Sequence, residues 1–301
     1  MILDQKIKKK FSNYIFNNIK LSNYSWFNLG GPAEYLFKPK NKNELIQFLQ
    51  KNKKNKQRVT ILGAGSNTLI RDNGVKGVVV KLGPSFSKIK LIDKNTLEVG
   101  AATFDSKVSN FAKENCIGGF EFLSCIPGSI GGAVIMNSGC YGHDISKILV
   151  SINTVDLRDS KEKEIMSNEI NFYYRGSNLS NDLIITSVKL KGKISAQEEI
   201  EKIQKNIIEK KKDSQPSKIK TCGSTFKNPE NLKAWKLIKD SQCQLIKCGG
   251  ASISEKHYNF FVNEGNASSK DIEDLIKKVQ NQVEKKFNIK LDLEIKIIGE
   301  Q

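Results

Sequence analysis

A glycine-rich pentapeptide, Gly63-Ala64-Gly65-Ser66-Asn67, directly follows an apolar run that predicts a buried strand. Its glycines let backbone N–H groups approach a pyrophosphate, and Ser66 and Asn67 can add hydrogen bonds. It is not a Walker A loop, because no GK[ST] follows. It is not a complete Rossmann fingerprint either, because Thr68 stands at the third glycine position. A tight turn between two strands explains the pentapeptide equally well by itself.

A second glycine-rich loop, IPGSIGGA, occupies residues 126–133. Two such loops in one domain can close on one extended ligand that has a diphosphate at one end and a ring system at the other. Close packing of the backbone at turns is the alternative. Because long ordered loops often carry function, the pattern favours a cofactor site.

The pentapeptide YYRGS at 173–177 places a guanidinium beside two phenols. Arg175 can clamp a carboxylate through two hydrogen bonds, or neutralise charge that develops in a transition state. A surface arginine stacked on a tyrosine is the simpler interpretation, and the pentapeptide alone favours it.

The octapeptide CGSTFKNP at 222–229 contains a serine after a glycine. A nucleophilic serine is disfavoured, because the GxSxG pattern is absent and neither histidine is adjacent in sequence. Ser224 fits better as a proton donor, and Lys227 and Asn228 suit a polar, anionic substrate. A turn that ends at Pro229 is the alternative.

One acidic residue near the C-terminus completes the set of candidates. Glu294 lies on the polar face of a predicted final strand over 291–299, so simple exposure is the first interpretation. If the strand faces a cleft, partial burial would raise the pKa of this carboxyl and let it donate a hydrogen bond.

Apolar patterns predict the elements that must position these residues. Before residue 82, Asn41 with Glu44 predicts a helix start, and 58–62 and 77–82 predict buried strands. Up to residue 193, one helix is predicted over 105–114. The other segments there are short β-like runs: TLEVGA, EFLSCI, AVIMN, INTVDL and LIITSVKLKG.

The C-terminal third opens with a capping box, Ser195 with Glu198, and a second box, Ser268 with Asp271, begins another amphipathic helix. Short strands around glycine-rich turns, with few helices, predict an α+β fold rather than regular βαβ winding. We therefore divide the chain into three regions, residues 1–82, 83–193 and 194–301.

Composition limits the classes of function. The formal charge of +17 suits either nucleic acid or an anionic small molecule, but the lysines are spread along helix-like stretches without interleaved aromatic residues. We therefore predict no nucleic-acid partner. The six cysteines and two histidines lack zinc-ligand spacing, so no metal is expected. Without a long apolar run or a secretory signal, we predict a cytoplasmic protein that does not enter the membrane.

Seven segments, in order, resemble the UDP-N-acetylenolpyruvoylglucosamine reductase (MurB) family. Any one match would be weak, whereas seven in order are highly specific. The family's shorter form is the better match, because little separates YYRGS from LIITSV. The segments are FNLGGPAEYLFKP, GAGSNTLIRD, GGFEFLSCIPGSIGGAVIMNSGCYG, NFYYRGS, CGSTFKNP, GGASISEKHYNFFVN and LDLEIKIIG.

This resemblance implies an FAD-binding domain of the vanillyl-alcohol-oxidase type, made of two α+β subdomains over 1–82 and 83–193, and a separate α+β substrate domain over 194–301. It implies NADPH-dependent, FAD-mediated reduction of UDP-N-acetylglucosamine enolpyruvate to UDP-N-acetylmuramate in peptidoglycan precursor synthesis. The implied catalytic residues are Arg175, Ser224 and Glu294, with Glu294 near the active site on the last strand.

The resemblance also implies binding residues on matching positions. Tyr174, Lys227 and Asn228 are the implied substrate contacts. The implied FAD contacts are Gly63, Ala64, Gly65, Ser66, Asn67, Pro127, Gly128, Ser129, Gly131 and Gly132.

This chain departs from the family pattern at a few positions. Cys140 and Cys222 stand where alanine is expected, and both are small enough for the packing to survive. Lys210, Lys211 and Lys212 precede Gln215-Pro216, where an arginine is more usual. Lysine keeps the charge but loses the two-pronged guanidinium, so a phosphate contact there is left open.

Two alternatives to this function are open from the sequence. An FAD-dependent sugar or lactone oxidoreductase of the same superfamily would keep the cofactor and change the substrate. A basic nucleic-acid-binding protein would have no flavin at all.

Overall fold

The computed structural model describes residues 3–301. The chain forms two compact units, each assembled from separate segments. The first unit comprises the segment that ends at Asn17, Tyr35–Ala64 and Gly77–Lys211. The second comprises Asn18–Glu34, Gly65–Lys76 and Lys212–Gln301.

Seven α-helices occur in residues 3–301. They are α1 (Gln5–Lys10), α2 (Lys42–Asn55), α3 (Asp105–Glu114), α4 (Ile130–Ile135), α5 (Gln197–Ser214), α6 (Ala234–Asp240) and α7 (Ser269–Phe287).

The strands of the same described range are mostly short. They are β1 (Ile15–Lys20), β2 (Pro32–Phe37), β3 (Val59–Ile61), β4 (Thr68–Ile70), β5 (Val75–Val80), β6 (Ile89–Asp93), β7 (Thr96–Gly100), β8 (Ile117–Gly118), β9 (Gly139–Cys140), β10 (His143–Asp144), β11 (Leu149–Asp156), β12 (Glu162–Met166), β13 (Phe172–Tyr173), β14 (Gly176–Ser177), β15 (Leu183–Lys191), β16 (Lys193–Ile194), β17 (Ala251–Ile253), β18 (Phe261–Asn263) and β19 (Lys296–Ile298).

The first core of unit 1 lies between helix α2 and a four-stranded sheet of order β1-β2-β5-β3. The predicted helix start is confirmed, because the Asn41 side chain accepts the Glu44 N–H. Leu45, Phe48 and Leu49 of α2 are buried, and the rings of Phe48 and Phe37 stack. The sheet therefore holds β3, the strand that leads into the first glycine loop.

The second core of unit 1 packs against an antiparallel sheet of order β12-β11-β15-β7-β6. Helix α3 lies where a helix was predicted, and Val108 and Ala112 on its inner face are buried. Two of the predicted β-like runs are wrong. EFLSCI forms a 3₁₀ helix over Glu121–Cys125, and AVIMN lies mainly in α4, because an apolar run alone does not distinguish a strand from a buried helix.

The core of unit 2 is built on α7. Its predicted capping box is present: Ser268 accepts the Asp271 N–H, and the Asp271 carboxylate accepts the Ser268 N–H. These bonds lower the pKa of Asp271. The predicted final strand is much shorter than expected, because only β19 pairs as a strand, in parallel register with β4.

Two residues that follow β4 anchor it to α7. Arg71 makes two parallel hydrogen bonds to Glu273, at 2.8 and 2.9 Å. Asp72 accepts the Ser269 N–H at 2.7 Å, at the start of the helix, where a negative charge is favoured. The strand β4, which follows the first glycine loop, is thus paired with β19 and is also bonded to α7 through the two residues after it.

Three hydrophobic clusters each take most of their residues from one part of the chain. Phe27, Leu29 and Leu69 nevertheless pack in the cluster of unit 2, and Val155 and Ile184 pack in the cluster around α2. The boundaries 1–82, 83–193 and 194–301 stay a prediction.

Asp105 is a fully buried carboxyl at the start of α3, and its N–H donates to Gly128 O at 3.2 Å. Within residues 3–301, neither of its carboxylate oxygens has a hydrogen-bond partner. Burial raises the pKa of this carboxyl well above its ordinary value. The folded state therefore holds this proton more tightly than the unfolded state, and stability falls as the pH rises from the unfolded pKa of about 4 towards the folded value.

We expect Asp105→Asn to remove this pH dependence, since an amide carries no charge to bury. At pH 8 the variant should exceed the natural protein in free energy of unfolding by about 1–3 kcal/mol, and the two should converge near pH 4. Urea unfolding followed by circular dichroism between these pH values measures the difference. The exposed Asp213→Asn is the control, and a pH-independent difference at Asp105 would contradict the assignment.

Candidate active site

Two of the predicted catalytic residues lie close together in unit 2. Ser224 is half-buried and forms an isolated antiparallel bridge with Phe260. The next residue, Thr225, accepts the Glu294 N–H through its carbonyl oxygen at 2.8 Å. Glu294 is half-buried rather than fully exposed. A backbone hydrogen bond between Thr225 and Glu294 thus brings Ser224, the residue before Thr225, close to Glu294.

The first glycine loop meets the same segment of unit 2. The Asn67 side-chain amide donates to the Glu294 carbonyl oxygen at 3.0 Å. The Asn67 carbonyl in turn accepts the Lys296 N–H at 2.9 Å, where parallel pairing of β4 with β19 begins. Asn67 therefore holds the backbone of Glu294, and its predicted contact with FAD stays a prediction.

The backbone geometry at position 65 requires a glycine. Its φ is +70°, and a Cβ there would lie 1.8 Å from the Tyr24 carbonyl oxygen. The Gly65 carbonyl accepts the Trp26 N–H at 3.1 Å. The loop is thus folded tightly against the backbone of residues 24–26.

The thiol of Cys222 supports the same loop. It lies 3.4 Å from the Thr68 carbonyl oxygen and 3.7 Å from that of Gly65. Burial raises the pKa of this thiol to about 12, so it stays protonated and acts as a weak donor. The packing at this departure from the family pattern is intact, and the thiol adds contacts that alanine cannot make.

The two glycine loops approach each other within unit 1. A Cβ at Gly63 would lie 3.2 Å from Ser129 Oγ, and one at Gly132 would lie 3.7 Å from the same atom. Gly63 and Gly132 are both exposed. Lys81 donates to the Gly63 carbonyl at 2.6 Å, and burial lowers the pKa of this lysine.

Two backbone N–H groups of the second glycine loop hold the loop in place. The N–H groups of Ile130 and Gly131 donate to the carbonyls of Thr103 and Ala101, both at 2.9 Å. A Cβ at Gly131 would lie 3.0 Å from that of Ala101, so this glycine allows close packing. A ligand contact at Gly131, and those at Ala64, Ser66, Pro127 and Gly128, stay predictions.

Bare glycine backbone around a serine hydroxyl fits a phosphate-containing cofactor. Side chains at Gly63 or Gly132 would fill the space beside Ser129, and a phosphate needs such close access to hydrogen-bond donors. The residues of these loops are therefore compatible with FAD.

Arg175 is half-buried in a two-residue turn between β13 and β14. Its Nη2 donates to the Gly139 carbonyl at 2.9 Å, and its guanidinium lies 5.0 Å from the centroid of the exposed Tyr174 ring. Arg175 also has a φ of +56°, which costs a non-glycine residue about 1–3 kcal/mol. The contact with Tyr174 agrees with the simpler interpretation, an arginine stacked on a tyrosine, and the catalytic role of Arg175 stays a prediction.

Lys227 and Asn228 lie just beyond Ser224. The Lys227 N–H donates to the Asp292 carbonyl at 2.8 Å. The Asn228 Oδ1 accepts the N–H of Ala234, the first residue of α6, at 3.0 Å. Their contacts with substrate stay predictions, as does that of Tyr174.

The structure gives Lys211 a role that the sequence did not suggest. Its Nζ donates to the Cys125 carbonyl at 2.5 Å, directly before the second glycine loop, and burial lowers its pKa. A run of lysines on a helix normally indicates a solvated face, so no sequence signal marked the contact between Lys211 and Cys125.

Cys140, the other departure from the family pattern, is also accommodated by the packing. Its thiol, whose pKa burial raises to about 11, donates to the Phe122 carbonyl at 3.5 Å.

Within residues 3–301, no three histidine, cysteine, aspartate or glutamate side chains are grouped so that they could hold a metal ion. No helix in the same range combines the length and apolar character needed to cross a membrane.

Residues 33–165 match the family model described as an FAD binding domain, so the chain is an FAD-binding protein, as predicted. Residues 215–298 match the C-terminal domain of UDP-N-acetylenolpyruvoylglucosamine reductase.

Similar proteins agree with both matches. The chain is 46% identical to the UDP-N-acetylenolpyruvoylglucosamine reductase of Pelagibacter ubique, over 96% of this chain and 98% of that protein. It is 42% identical to the enzyme of the same name from the Wolbachia of Brugia malayi, over 94% and 95% of the two chains. The crystal structure of the Thermus caldophilus reductase (MurB) superposes with a TM-score of 0.83 at 31% identity, over 94% and 98%.

The chain belongs to the UDP-N-acetylenolpyruvoylglucosamine reductase family. The α+β fold class predicted from the sequence, an FAD-binding domain with a separate C-terminal domain, is confirmed.

We expect Gly65→Ala to abolish tight FAD binding, because the added Cβ would collide with the Tyr24 carbonyl and force the loop to move. The dissociation constant for FAD should rise at least about tenfold, a loss of about 1.4 kcal/mol. Flavin fluorescence titration of the apoprotein measures this change.

Gly142→Ala is the matched control. It has a similar φ of +82° but nothing within 4 Å of the added Cβ, so it tests backbone strain without the collision. Equal loss of affinity in both variants would show that the geometry at Gly65 is not what matters.

Proposed function

We propose that this protein reduces UDP-N-acetylglucosamine enolpyruvate to UDP-N-acetylmuramate, with NADPH as the electron donor and FAD as the cofactor. The reaction supplies a precursor of peptidoglycan. Membership of the reductase family across nearly the whole chain supports this assignment. The single structural observation that carries it is the backbone hydrogen bond from Glu294 to Thr225, the residue next to Ser224.

FAD, when bound, supplies hydride transfer between NADPH and the enolpyruvyl group. Gly63, Ser129 and Gly132 are the residues we propose for its phosphates, because their backbone is open to a ligand. The other predicted FAD contacts belong to the same two loops.

Addition of hydride to the vinyl group leaves negative charge on the neighbouring carbon and its carboxylate. We assign Ser224 Oγ to deliver the proton that quenches this charge. The Arg175 guanidinium and a protonated Glu294 would stabilise the charge by hydrogen bonding, and one such donor is typically worth about 3 kcal/mol. Tyr174, Lys227 and Asn228 would hold the substrate.

Family membership favours this reaction over the two alternatives drawn from the sequence. The C-terminal family model and the curated relatives carry the reductase name rather than that of a sugar oxidase. The FAD-binding match likewise argues against a nucleic-acid-binding protein without a flavin. A cytoplasmic location is part of the proposal.

Ser224→Ala should separate the two half-reactions. Because the hydroxyl is assigned to the substrate step alone, reduction of bound flavin by NADPH should stay within about twofold of the natural rate. Reoxidation by the enolpyruvyl substrate should slow by about 10²–10⁴-fold. Anaerobic stopped-flow absorbance at the flavin band follows both steps.

Ser254→Ala, which removes the hydroxyl of a buried serine in the same unit, is the control and should leave both rates unchanged. If Ser224→Ala slows both half-reactions equally, Ser224 is not the proton donor. If the natural protein oxidises NADPH without any dependence on the enolpyruvyl substrate, the proposed reaction itself is wrong.

A further inference from the structure

Asn259 is a buried amide, 3% exposed, with no role in the proposed chemistry. It lies on the segment between β17 and β18. Its backbone carbonyl accepts the Thr225 N–H at 2.8 Å. Its side chain makes two more bonds to the next residue: Oδ1 accepts the Phe226 N–H at 3.0 Å, and Nδ2 donates to the Phe226 carbonyl at 2.8 Å.

Three hydrogen bonds thus run from one residue to the two that follow Ser224. A side-chain amide has the same donor and acceptor as a peptide group, so here it takes the place of a neighbouring strand. Both polar groups of the Phe226 backbone are satisfied, and this matters because Phe226 is fully buried. The chemistry of these partners also fixes which amide atom is oxygen.

The opposite edge of the same short segment is bonded to the end of the chain. Thr225 O accepts the Glu294 N–H, the Lys227 N–H donates to Asp292 O, and Phe226 bridges Leu293. The segment that begins at Ser224 is therefore held between Asn259 on one side and residues 292–295 on the other. Without the Asn259 side chain, this side would keep the backbone bond from Thr225 to Asn259 and the Ser224–Phe260 bridge, but both polar groups of the buried Phe226 backbone would lose their partners.

We propose that Asn259 is a positioning residue for the reaction: its amide holds the backbone that carries Ser224, and so places Ser224 Oγ for proton delivery beside Glu294. This inference rests on the proposed function of Ser224. Asn259 itself touches no reacting atom in this proposal and acts only through residues 225 and 226.

Asn259→Ala removes both side-chain bonds to Phe226. The reoxidation of flavin by the enolpyruvyl substrate should slow by about 10–100-fold, since a displacement of about 1 Å at a reacting group has an effect of that size. Reduction of flavin by NADPH should stay within about twofold of the natural rate. Stopped-flow measurement of both half-reactions on the FAD-bound protein tests this.

Asn263→Ala is the matched control. Asn263 is an equally buried asparagine, and its side chain makes three bonds, to Phe27 O and to the N–H groups of Gly265 and Ala267. Its loss should lower the melting temperature at least as much as Asn259→Ala. It should leave the reoxidation rate within about twofold, because its side chain does not bond to residues 224–227.

Asn259→Asp provides a readout that a merely structural role would not change. A protonated aspartic acid can still accept from the Phe226 N–H and donate to the Phe226 carbonyl, whereas an ionised carboxylate loses the donor and repels that carbonyl. Burial raises the pKa of the introduced carboxyl. The ratio of variant to natural reoxidation rate should therefore rise as the pH falls through that pKa, giving recovery in acid.

The outcomes separate this inference from the proposed function. If Asn259→Ala melts lower but reoxidises at the natural rate, or if Asn263→Ala slows reoxidation equally, Asn259 does not position Ser224. If Asn259→Ala does not fold, a pH-independent rate ratio for Asn259→Asp overturns the inference alone. If Ser224→Ala reoxidises at the natural rate in the same assay, the proton-donor assignment fails whatever Asn259 does.

Discussion

The carbonyl of Thr225 is the point on which the unit 2 site depends. It accepts the Glu294 N–H at 2.8 Å and lies within 3.4 Å of the Ile295 N–H, while the Thr225 N–H is bonded to Asn259. Thr225 is fully buried, so water cannot replace these bonds, and each unmet group would cost about 1–3 kcal/mol. The peptide between Ser224 and Phe226 therefore cannot shift alone. Any displacement of the Thr225 backbone, which carries Ser224, must also break bonds to Glu294 or Asn259.

The first glycine loop depends on the same arrangement. Asn67 holds the Glu294 carbonyl, β19 continues alongside β4, and Arg71 and Asp72 fasten the far end of β4 to α7. The loop that the sequence predicts to bind a phosphate group thus also helps to hold Glu294, the proposed acid. Cys222 adds to this support by hydrogen bonding to carbonyls of the loop.

Elements with a local cause could be predicted from the sequence. The helix starts at Asn41 and at Ser268 are set by side chains within three residues, and both are present. The predictions of strands at EFLSCI and AVIMN were wrong, because both segments bury their apolar side chains in the core from helices rather than from strands. The final strand is short because residues 291–295 bond to the Thr225 segment through isolated bonds instead of a continuous ladder.

Residues that act through distant backbone could not be found in this way. Asn259 and Lys211 both bond to carbonyls more than 30 positions away, and nothing in their local sequence marks those partners. Conversely, the residue types of Arg175, Ser224 and Glu294 suit the chemistry, but only the family resemblance groups them as one catalytic set, and their roles stay proposals. Candidate reactive residues could be recognised from unusual residue types in the sequence. The residues that hold them in place could not, because their hydrogen-bond partners are distant in the chain.

Native-state hydrogen exchange at the amides of Glu294 and Phe226 tests the central claim most directly. If the Thr225 carbonyl and the Asn259 side chain hold these N–H groups, both amides should exchange only through global or near-global unfolding, as slowly as the buried amides of α7. Exchange of either amide at the rate of an exposed loop would contradict the account, because Ser224 and Glu294 would then not be held together by these bonds.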